Sequence, residues 1–320
     1  MASNLLKINI NTSQTLNPQI PFPSNHHHVS TFLHKQKQKQ QCIRFSLSSS
    51  STPPTTKEAA ILQAKTCLST SLEKPLNNAK LTNKLKRLKQ PRFRLEIPVF
   101  DDSPQSLSQL ALDIFKELPI KRKGSPVNIL IVWPNDVYKE SALKVFESLP
   151  NCPVDHADIS SLSDSDTRSL SSADVAVFLA LETSQLEAME GVSERLYPRP
   201  VVLFNPRWGF EDESEFGEMS GFVGSFEVLY SFTGLEVKGV LSKRKGVIFK
   251  CVRDGVVSGE KWSVLVEEEE GELKVISTFK ARPSIAEVEN VLYNLMAMNS
   301  PVTKSVKFFK DLVSNVTGKK

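Results

Sequence analysis

The chain has 320 residues, of which 40 are Lys or Arg and 36 are Asp or Glu, so its formal net charge is +4. Six basic residues precede Glu58, the first acidic residue, so the chain from that point on has a net charge of −2 and gives little ground for a nucleic-acid partner. Four of the five histidines also fall in this stretch, which leaves His156 and excludes a histidine-rich metal site.

The N-terminal stretch has the composition of a chloroplast transit peptide. Residues 1–57 contain no acid, are rich in Ser, Thr, Asn and Gln, and include a serine run at 48–51. A mitochondrial address would favour a helix with repeated Arg, and a secretory signal needs an apolar core that this stretch lacks. We expect an unstructured transit peptide over 1–50, cleaved between Cys42 and Ser51, and a protein of the stroma or the thylakoid surface. The alternative is an N-terminus that is merely disordered.

The other cysteines and the apolar runs limit the kinds of site further. Cys67, Cys152 and Cys251 stand far apart, without the paired spacing of a zinc site. A regulated disulfide is one interpretation, and small buried side chains are the favoured one. Because no apolar run approaches the about 18 residues of a membrane span, we expect no transmembrane segment. We also predict no bound metal and no cofactor.

After the leader, apolar runs of strand length alternate with amphipathic stretches of helix length. A helix is predicted over 57–73, and a run over 80–94 follows that has seven basic residues and no acid. The next predicted elements are a strand at 94–100, a helix at 106–118, a strand at 127–133, a helix at 139–149, a short strand near 154–159, a strand at 173–181, a helix at 184–196 and a strand at 201–204. Continuous apolar strands separated by helices predict an α/β fold with a mainly parallel, doubly wound sheet and helices on both faces.

The pattern changes after Trp208. Turn pairs such as Asp254-Gly255 and Glu270-Gly271 separate β-rich segments and are typical of antiparallel hairpins. The β-rich segments are 223–232, 246–252, 262–268 and 273–279, and helices are predicted at 284–298 and 301–316. We therefore predict one α/β domain over 57–320, made of an N-terminal helical and basic segment (57–90), a doubly wound part (92–208), an antiparallel β-rich extension (214–283) and C-terminal helices (284–317).

Several segments resemble a known family. They are the helix around Gln63-Ala64, FRLEIPVF at 93–100, VLFNPRW at 202–208 and SFEVLYSF at 225–232. Together they resemble a plastid and cyanobacterial domain of unknown function, shared by a photosystem II assembly factor (the third low-photosystem-II-accumulation protein) and the C-terminal region of a plastid adenylate kinase. The resemblance spans 57–311 and implies plastid residence and thylakoid-complex biogenesis. It implies no catalytic residues, and kinase chemistry belongs to a neighbouring domain of that adenylate kinase.

Polar residues follow the predicted parallel strands, at the edge where open α/β sheets bind ligands. Carboxylates there can bind Mg²⁺ or act as acid and base, and Arg207 can hold an anionic group. The candidate ligand-binding residues are Asp101, Asp136, Glu182, Asn205, Arg207 and Trp208. The favoured alternative is structural: Asp101, Asp136 and Ser184 cap helices, Arg207 pairs with an acid, and Trp208 anchors its loop in the core.

Familiar reaction chemistry is disfavoured. No strand is followed by GxGxxG or GxxxxGK[ST], so a standard nucleotide loop is missing, and no GxSxG elbow is present. His156 stands between Asp155 and Asp158, and we expect it to be a surface residue with a raised pKa rather than a catalyst. No catalytic residue is predicted.

Two basic surfaces suggest partners. Lys84, Lys86 and Arg87 lie in the first basic run, which suits anionic lipid, RNA or an acidic protein but lacks the aromatic residues of a base-stacking site. Lys304, Lys307 and Lys310 lie on the predicted last helix, whose basic amphipathic pattern suits a thylakoid surface. A solvated helix and packing on the chain's own domain are the favoured interpretations.

The expected function is that of a non-catalytic chloroplast accessory protein that assists a photosystem II-type complex by binding a protein partner. The alternative is an enzyme or a regulatory domain that binds a small molecule or nucleotide at the strand-end loops. A third possibility is RNA binding through the first basic run, which steep salt dependence would support.

Overall fold

The structure is a computed structural model, and it describes residues 7–10, 52–77, 89–99, 101–147, 149, 152–164, 167–238, 243–268 and 272–298. Of the predicted transit peptide it describes one short strand, Lys7–Ile10. The predicted cleavage window, most of the basic run over 80–94 and the predicted last helix lie outside the described residues.

The helices and strands alternate along much of the chain. In chain order they are β1 (Lys7–Ile10), α1 (Lys57–Asn77), β2 (Arg92–Glu96), α2 (Pro104–Phe115), β3 (Lys121–Arg122), β4 (Ser125–Pro126), β5 (Ile129–Trp133), α3 (Asp136–Phe146), β6 (Val154–Asp158), α4 (Ile159–Asp164), α5 (Thr167–Ser172), β7 (Val175–Leu179), α6 (Leu186–Leu196), β8 (Val201–Phe204), α7 (Met219–Val223), β9 (Glu227–Lys238), β10 (Lys243–Cys251), β11 (Trp262–Glu267), β12 (Leu273–Phe279) and α8 (Ile285–Met298). Short 3₁₀ helices at Thr183–Gln185 and Glu211–Glu215 precede α6 and α7.

Most strands join one mixed sheet in the order β12-β11-β10-β9-β2-β8-β7-β5-β6. Neighbouring strands from β6 to β9 are parallel, and those from β9 to β12 are antiparallel. Strand β9 joins the two halves, since its first residues pair with β2 and its last four with β1. The predicted α/β class, a parallel doubly wound part followed by an antiparallel extension, is confirmed.

Helices cover both faces of the parallel half. Along β5, Ile129, Ile131 and Trp133 join the apolar cluster on the first face, whereas Leu130 and Val132 join the cluster on the second. The first face is covered by α1, α2 and α3, and the second by α4, α5, α6 and α7. Because both faces are buried, polar side chains of this half reach solvent mainly where the strands end.

The antiparallel half is also covered on both faces. Val247 and Phe249 on β10 pack in the first-face cluster with α1. Ile248, the residue between them, packs with Val264 and Val288 in a third cluster under α8. In the part of the chain that is described, none of the helices combines the length and apolarity that a membrane crossing requires.

Several element bounds differ from the predictions, and two of the differences involve strand pairing that the sequence did not show. The helix predicted to reach residue 118 ends at Phe115, and a hairpin of two-residue strands follows, with Lys123 and Gly124 at positive φ in its turn. Such short exposed strands have no apolar alternation that the sequence could show. The strand predicted over 223–232 instead runs from Glu227 to Lys238, because β10 and β1 provide pairing partners beyond the apolar stretch.

Candidate functional site

The carboxyl ends of the parallel strands form the edge where most predicted site residues lie. The chain leaves β5 towards β6 and leaves β7 towards β8, in opposite directions, so the winding reverses between β5 and β7. Ligands of open α/β sheets bind in the crevice at such a point. In this protein the Nε2 of Gln185, after β7, donates a 2.7 Å hydrogen bond to the carbonyl oxygen of Pro134, after β5. A side chain of the protein therefore bridges the crevice.

Arg207, which follows β8, is the centre of the polar contacts at this edge. Its guanidinium lies 3.1 Å from the carboxylate of Glu182 and 3.3 Å from that of Asp102. It also donates to the carbonyl oxygen of Asp102 at 3.0 Å and to the hydroxyl of Tyr138, whose ring centre is 4.9 Å away. One side chain thus connects the loops that follow β2, β7 and β8 with the first turn of α3, the helix after β5.

The charges at this edge leave Arg207 neutralised. Its side chain is 23% exposed, whereas the side chains of Asp102 and Glu182 are 60% and 52% exposed and remain solvated. Asp136, also exposed, pairs with Lys139 one turn later on α3. An anionic ligand would have to displace two carboxylates before Arg207 could hold it, so the edge in this arrangement disfavours phosphate or carboxylate ligands.

Helix caps account for other polar residues at the edge, but at different positions from those predicted. Ser103, not Asp101, is the N-cap of α2, and its hydroxyl accepts from the N–H of Ser106. Asp101 lies outside the helix and accepts from the N–H of Ser103 and the hydroxyl of Ser106, both at 2.9 Å. Hydrogen bonds from these two serines lower the pKa of Asp101.

The other two predicted caps are also displaced by one or two residues. Asn135, with an extended backbone, caps α3 by accepting from the N–H of Val137 at 3.1 Å, whereas Asp136 is already helical. Glu182 rather than Ser184 precedes the 3₁₀ helix before α6. An N-cap must have an extended backbone and an acceptor that reaches the first turn, and that depends on where the strand ends.

Asn205 is buried and forms hydrogen bonds to the main chain of Ile97. Its Nδ2 donates to the carbonyl oxygen of Ile97 at 2.9 Å, and its Oδ1 accepts from the N–H of Ile97 at 2.8 Å. Its φ of +46° lies in the left-handed region, which Asn tolerates better than most residues. The side chain predicted as a ligand contact therefore joins the end of β8 to the end of β2.

Trp208 belongs to the core and contacts a buried ion cluster, formed by Arg94, Glu96, Glu213 and Arg282. Its Nε1 donates to Glu213 at 3.2 Å, and Glu213 pairs with Arg94. Glu96 lies 2.7 Å from Arg94 and 3.0 Å from Arg282. The cluster fastens β2 to the loop after β8 and to the segment before α8, so Trp208 anchors its loop, as the structural alternative predicted.

A groove of about 930 Å³ lies between α1 and the β3–β4 hairpin, away from the strand-end edge. We call it the α1 groove. Leu62, on its α1 wall, is 65% exposed. The apolar residues that line it are Leu62, Leu118, Pro119, Ile120, Gly124 and Pro126, and the charged ones are Lys65, Glu73, Glu117 and Lys121. Sequence reasoning missed this groove because its walls come from segments that are far apart in the chain.

A protein-family model matches residues 54–290, which include every element from α1 to β12 and the start of α8. Its description is "Domain of unknown function (DUF1995)". The chain belongs to this family. A search of curated proteins finds no match to the chain. Membership in the DUF1995 family confirms the predicted domain of unknown function, and the predicted links to a photosystem II assembly factor and to an adenylate kinase stay predictions.

Asp158, at the end of β6, is a polar residue of this DUF1995 domain that the sequence did not suggest as a site residue. Burial raises the pKa of Asp158, but hydrogen bonds from Ser160, Lys139 and Ser161 lower it by more than burial raises it. The pKa therefore lies below its usual range. Lys139 Nζ is 2.9 Å from its carboxylate, and the N–H of Ser161 is 2.8 Å away. An Asp followed by two serines at a strand-to-helix junction is the signal that indicates such a cap.

The prediction for His156 is wrong. The ring packs at 4.6 Å against Phe146 on α3, and its Nδ1 accepts from Trp133 Nε1 at 3.1 Å. Burial lowers the pKa of His156 to about 4, so the ring is neutral at physiological pH. Asp155 did not reveal this, because adjacent residues of a strand point to opposite faces of the sheet. Asp158 lies on the same face as His156, but its carboxylate is bonded to Lys139, Ser160 and Ser161.

Both predicted basic surfaces fall outside the part of the chain that the structure describes. Lys84, Lys86 and Arg87 lie outside the described residues, as do Lys304, Lys307 and Lys310. Within the described ranges, no group of three or more His, Cys, Asp or Glu side chains is placed to hold a metal ion.

Proposed function

We propose that the protein is a non-catalytic chloroplast accessory protein that binds a protein partner during assembly or maintenance of a photosystem II-type complex. The composition of the N-terminal stretch and the resemblance to a plastid family support this cellular setting. The observation that carries the binding role is the α1 groove, and the contact network at the strand-end edge weighs against a small-molecule role there. Arg207 is held by Glu182 and Asp102, and Gln185 closes the crevice.

The α1 groove is the surface that best suits a protein partner. It combines apolar lining residues with charged ones of both signs, the composition of a small protein interface. Leu62 is far more exposed than the residues that α1 buries against the sheet, such as Leu68. We assign the groove to an apolar segment of the partner, with Lys65 and Glu117 contacting the polar ends of that segment.

The test is affinity purification of the tagged mature protein from isolated chloroplasts, with stroma and thylakoids separated before capture. Recovery of photosystem II subunits or membrane-insertion factors from the thylakoid fraction is the expected result. A protein recovered alone from the stroma would overturn the proposal.

Matched variants locate the surface. Leu62→Glu places a charge in the α1 groove, whereas Leu143→Glu places one on the outer side of α3, where Leu143 is 49% exposed. We expect Leu62→Glu to lose the captured subunits and Leu143→Glu to retain them, with equal melting temperatures. Equal capture by both variants would remove the groove from the proposal.

A second candidate is a small-molecule site at the strand-end edge, either regulatory or catalytic. Ala180, just after β7, has a φ of +54°, and such a conformation costs a residue with a Cβ about 1–3 kcal/mol. The buried Nε of Arg207 also has no hydrogen-bond partner. Strained backbone and unsatisfied polar atoms concentrate at functional sites.

The two candidates predict different losses. Under the second, Arg207→Ala or Asp136→Ala abolishes the stabilisation by a small molecule found in a thermal-shift screen of neutral, cationic and anionic compounds. Under the first, both variants capture the same thylakoid proteins as the unchanged chain.

A further inference from the structure

The sulfur atoms of Cys67 and Cys251 lie 3.5 Å apart, although the two residues are 184 positions apart in the sequence. Cys67 lies on α1 and Cys251 ends β10. Their exposures are 0% and 1%, so the contact is inside the core. A disulfide bond is about 2.05 Å long, so the sulfur atoms need to approach by about 1.5 Å, which small rotations of the side chains can supply.

The backbones that carry the two thiols are already in close contact. Gly255, in the turn after β10, approaches α1 so closely that a Cβ on it would lie 2.6 Å from the carbonyl oxygen of Thr70. Its φ of +70° also favours glycine. Helix α1 and the end of β10 are therefore held together one turn away from the thiol pair, and a cross-link needs no movement of either element.

The surroundings give the two sulfurs different acidities. The contact with Cys67 and a hydrogen bond from Arg253 lower the pKa of Cys251. The contact with Cys251 and burial raise the pKa of Cys67. Because the Arg253 cation lies beside Cys251 and favours its thiolate, we assign the attack to Cys251 and the resolving step to Cys67. Among the described residues, the nearby Tyr230 hydroxyl is buried without a hydrogen-bond partner.

We propose that Cys67 and Cys251 form a reversible intramolecular disulfide that locks α1 onto the sheet, with hydrogen peroxide as the oxidant and a dithiol as the reductant. The inference does not rest on the proposed function. It gives a role to a pair that the sequence shows only as isolated cysteines.

The oxidation is balanced in two steps. The Cys251 thiolate attacks one oxygen of hydrogen peroxide, forming a sulfenic acid, and the released hydroxide takes up a proton to become water. The Cys67 sulfur then attacks the sulfenic sulfur, the S–S bond forms, and the sulfenic oxygen leaves as a second water with the proton of the Cys67 thiol. Two thiols are oxidised and one peroxide is reduced. A dithiol reverses the bond by exchange and becomes a disulfide itself.

The lock acts on the wall of the α1 groove. Thr66 and Thr70, which line the groove, are on the same helix as Cys67 and flank it. A bond at Cys67 fixes this wall to β10 covalently, whereas in the reduced pair the two are held by non-covalent contacts.

The decisive experiment maps the bond in the folded full-length chain. Cys42→Ser and Cys152→Ser are introduced together, so that the two buried cysteines are the reactive ones left. The protein is treated with graded hydrogen peroxide, free thiols are alkylated in denaturant, and peptides are identified by mass spectrometry. We expect the mass of the intact protein to fall by about 2 Da and a cross-linked peptide containing Cys67 and Cys251 to appear. Dithiothreitol treatment of the folded protein should restore the mass and remove the cross-linked peptide. Over-oxidised thiols in place of the cross-linked peptide would overturn the proposal, as would a bond that forms only in unfolded chains.

Thermal melting tests the lock itself. The oxidised form should melt at least about 5 °C higher than the reduced form, because the bond closes a long loop in the unfolded chain. Cys251→Ser, treated in the same way, should show no rise. An oxidised form with an unchanged melting temperature, or a bond that resists dithiothreitol in the folded protein, would overturn the locking role.

Discussion

The side-chain amide of Asn205 pairs with both main-chain groups of Ile97, at 2.8 and 2.9 Å. The N–H of Asn205 itself donates to the carbonyl oxygen of Leu95 at 3.0 Å, so the amide side chain extends the ladder between β8 and β2 by one further step. The backbone turns away from the sheet at this residue in a left-handed conformation. Asn205, which the sequence suggested as a ligand contact, thus has a structural role: it holds the ends of β8 and β2 together at the strand-end edge.

Replacing Asn205 should destabilise the fold more than removing a helix cap at the same edge. Asn205→Ala leaves both main-chain groups of Ile97 buried without partners and keeps the left-handed backbone, at a cost of about 2–4 kcal/mol. Asn135→Ala, the matched control, removes the cap of α3 at about 1 kcal/mol. Urea unfolding measures both, and equal losses would show that the Ile97 pairing contributes little.

The sequence predicted the parallel half well because its strands are buried on both faces. The runs that became β5, β7 and β8 are continuously apolar, and each has all its residues buried. The β3–β4 hairpin was missed because two exposed residues per strand produce no pattern.

The candidate site could be predicted only as an edge. That residues such as Glu182 and Arg207 lie near one another follows from parallel strands ending on one side of the sheet. Their actual partners depend on the lateral order of the strands, which the sequence did not show. Tyr138, on the helix after β5, reaches Arg207, after β8, across the end of β7. The contact of Cys67 with Cys251 depends in the same way on α1 packing over β10.

The burial of the His156 ring predicts an acid-sensitive step in stability. The folded pKa of His156 is lowered to about 4, against an ordinary value near 6.5, so the unfolded chain binds a proton first as the pH falls. The stabilisation from the neutral, buried imidazole is complete above pH 6.5, declines below it and is lost by about pH 4. This loss lowers the free energy of unfolding by about 3 kcal/mol.

The variant His156→Gln isolates this contribution. Glutamine keeps an acceptor for Trp133 but does not titrate, so the difference in unfolding free energy between the two proteins should change between pH 7 and pH 4. Urea unfolding at each pH measures it. A difference that stays constant across this range would contradict a buried neutral imidazole.

The buried ion cluster should be far more sensitive to charge removal than a surface pair. Glu96 is almost fully buried and accepts from Arg94, Arg282 and the hydroxyl of Ser231. Glu96→Gln leaves two buried guanidinium groups with too little negative charge, which costs about 3–5 kcal/mol. Glu268→Gln breaks an exposed pair with Lys274 and should cost less than about 1 kcal/mol.

Protonation of the Glu96 carboxylate predicts a second loss of stability, at a lower pH than that of His156. Burial opposes ionisation of Glu96, but Arg282 and Arg94 outweigh it and lower its pKa to about 2. Because the folded pKa is depressed, this stabilisation is present above pH 4.5 and is lost as the pH falls towards 2. Glu96→Gln should remove this step from the pH dependence of the unfolding free energy. If the variant loses stability between pH 4.5 and 2 as the unchanged protein does, other carboxylates cause the step.

Arg207 connects three loops with the first turn of α3, yet its replacement should cost less than that of Glu96. Its carboxylate partners, Asp102 and Glu182, are more than half exposed, so they return to water when the guanidinium is removed. We expect Arg207→Ala to lower the free energy of unfolding by about 1–2 kcal/mol, mostly through the lost contact with the Tyr138 ring. Salt screens exposed ion pairs, and the Debye length falls from about 10 Å at 0.1 M salt to about 3 Å at 1 M. The ionic part of the difference in unfolding free energy should therefore shrink over this range. A loss above about 3 kcal/mol that salt leaves unchanged would mean that Arg207 acts as a buried charge, and the strand-end edge would then have to be reconsidered as a closed, water-excluding site.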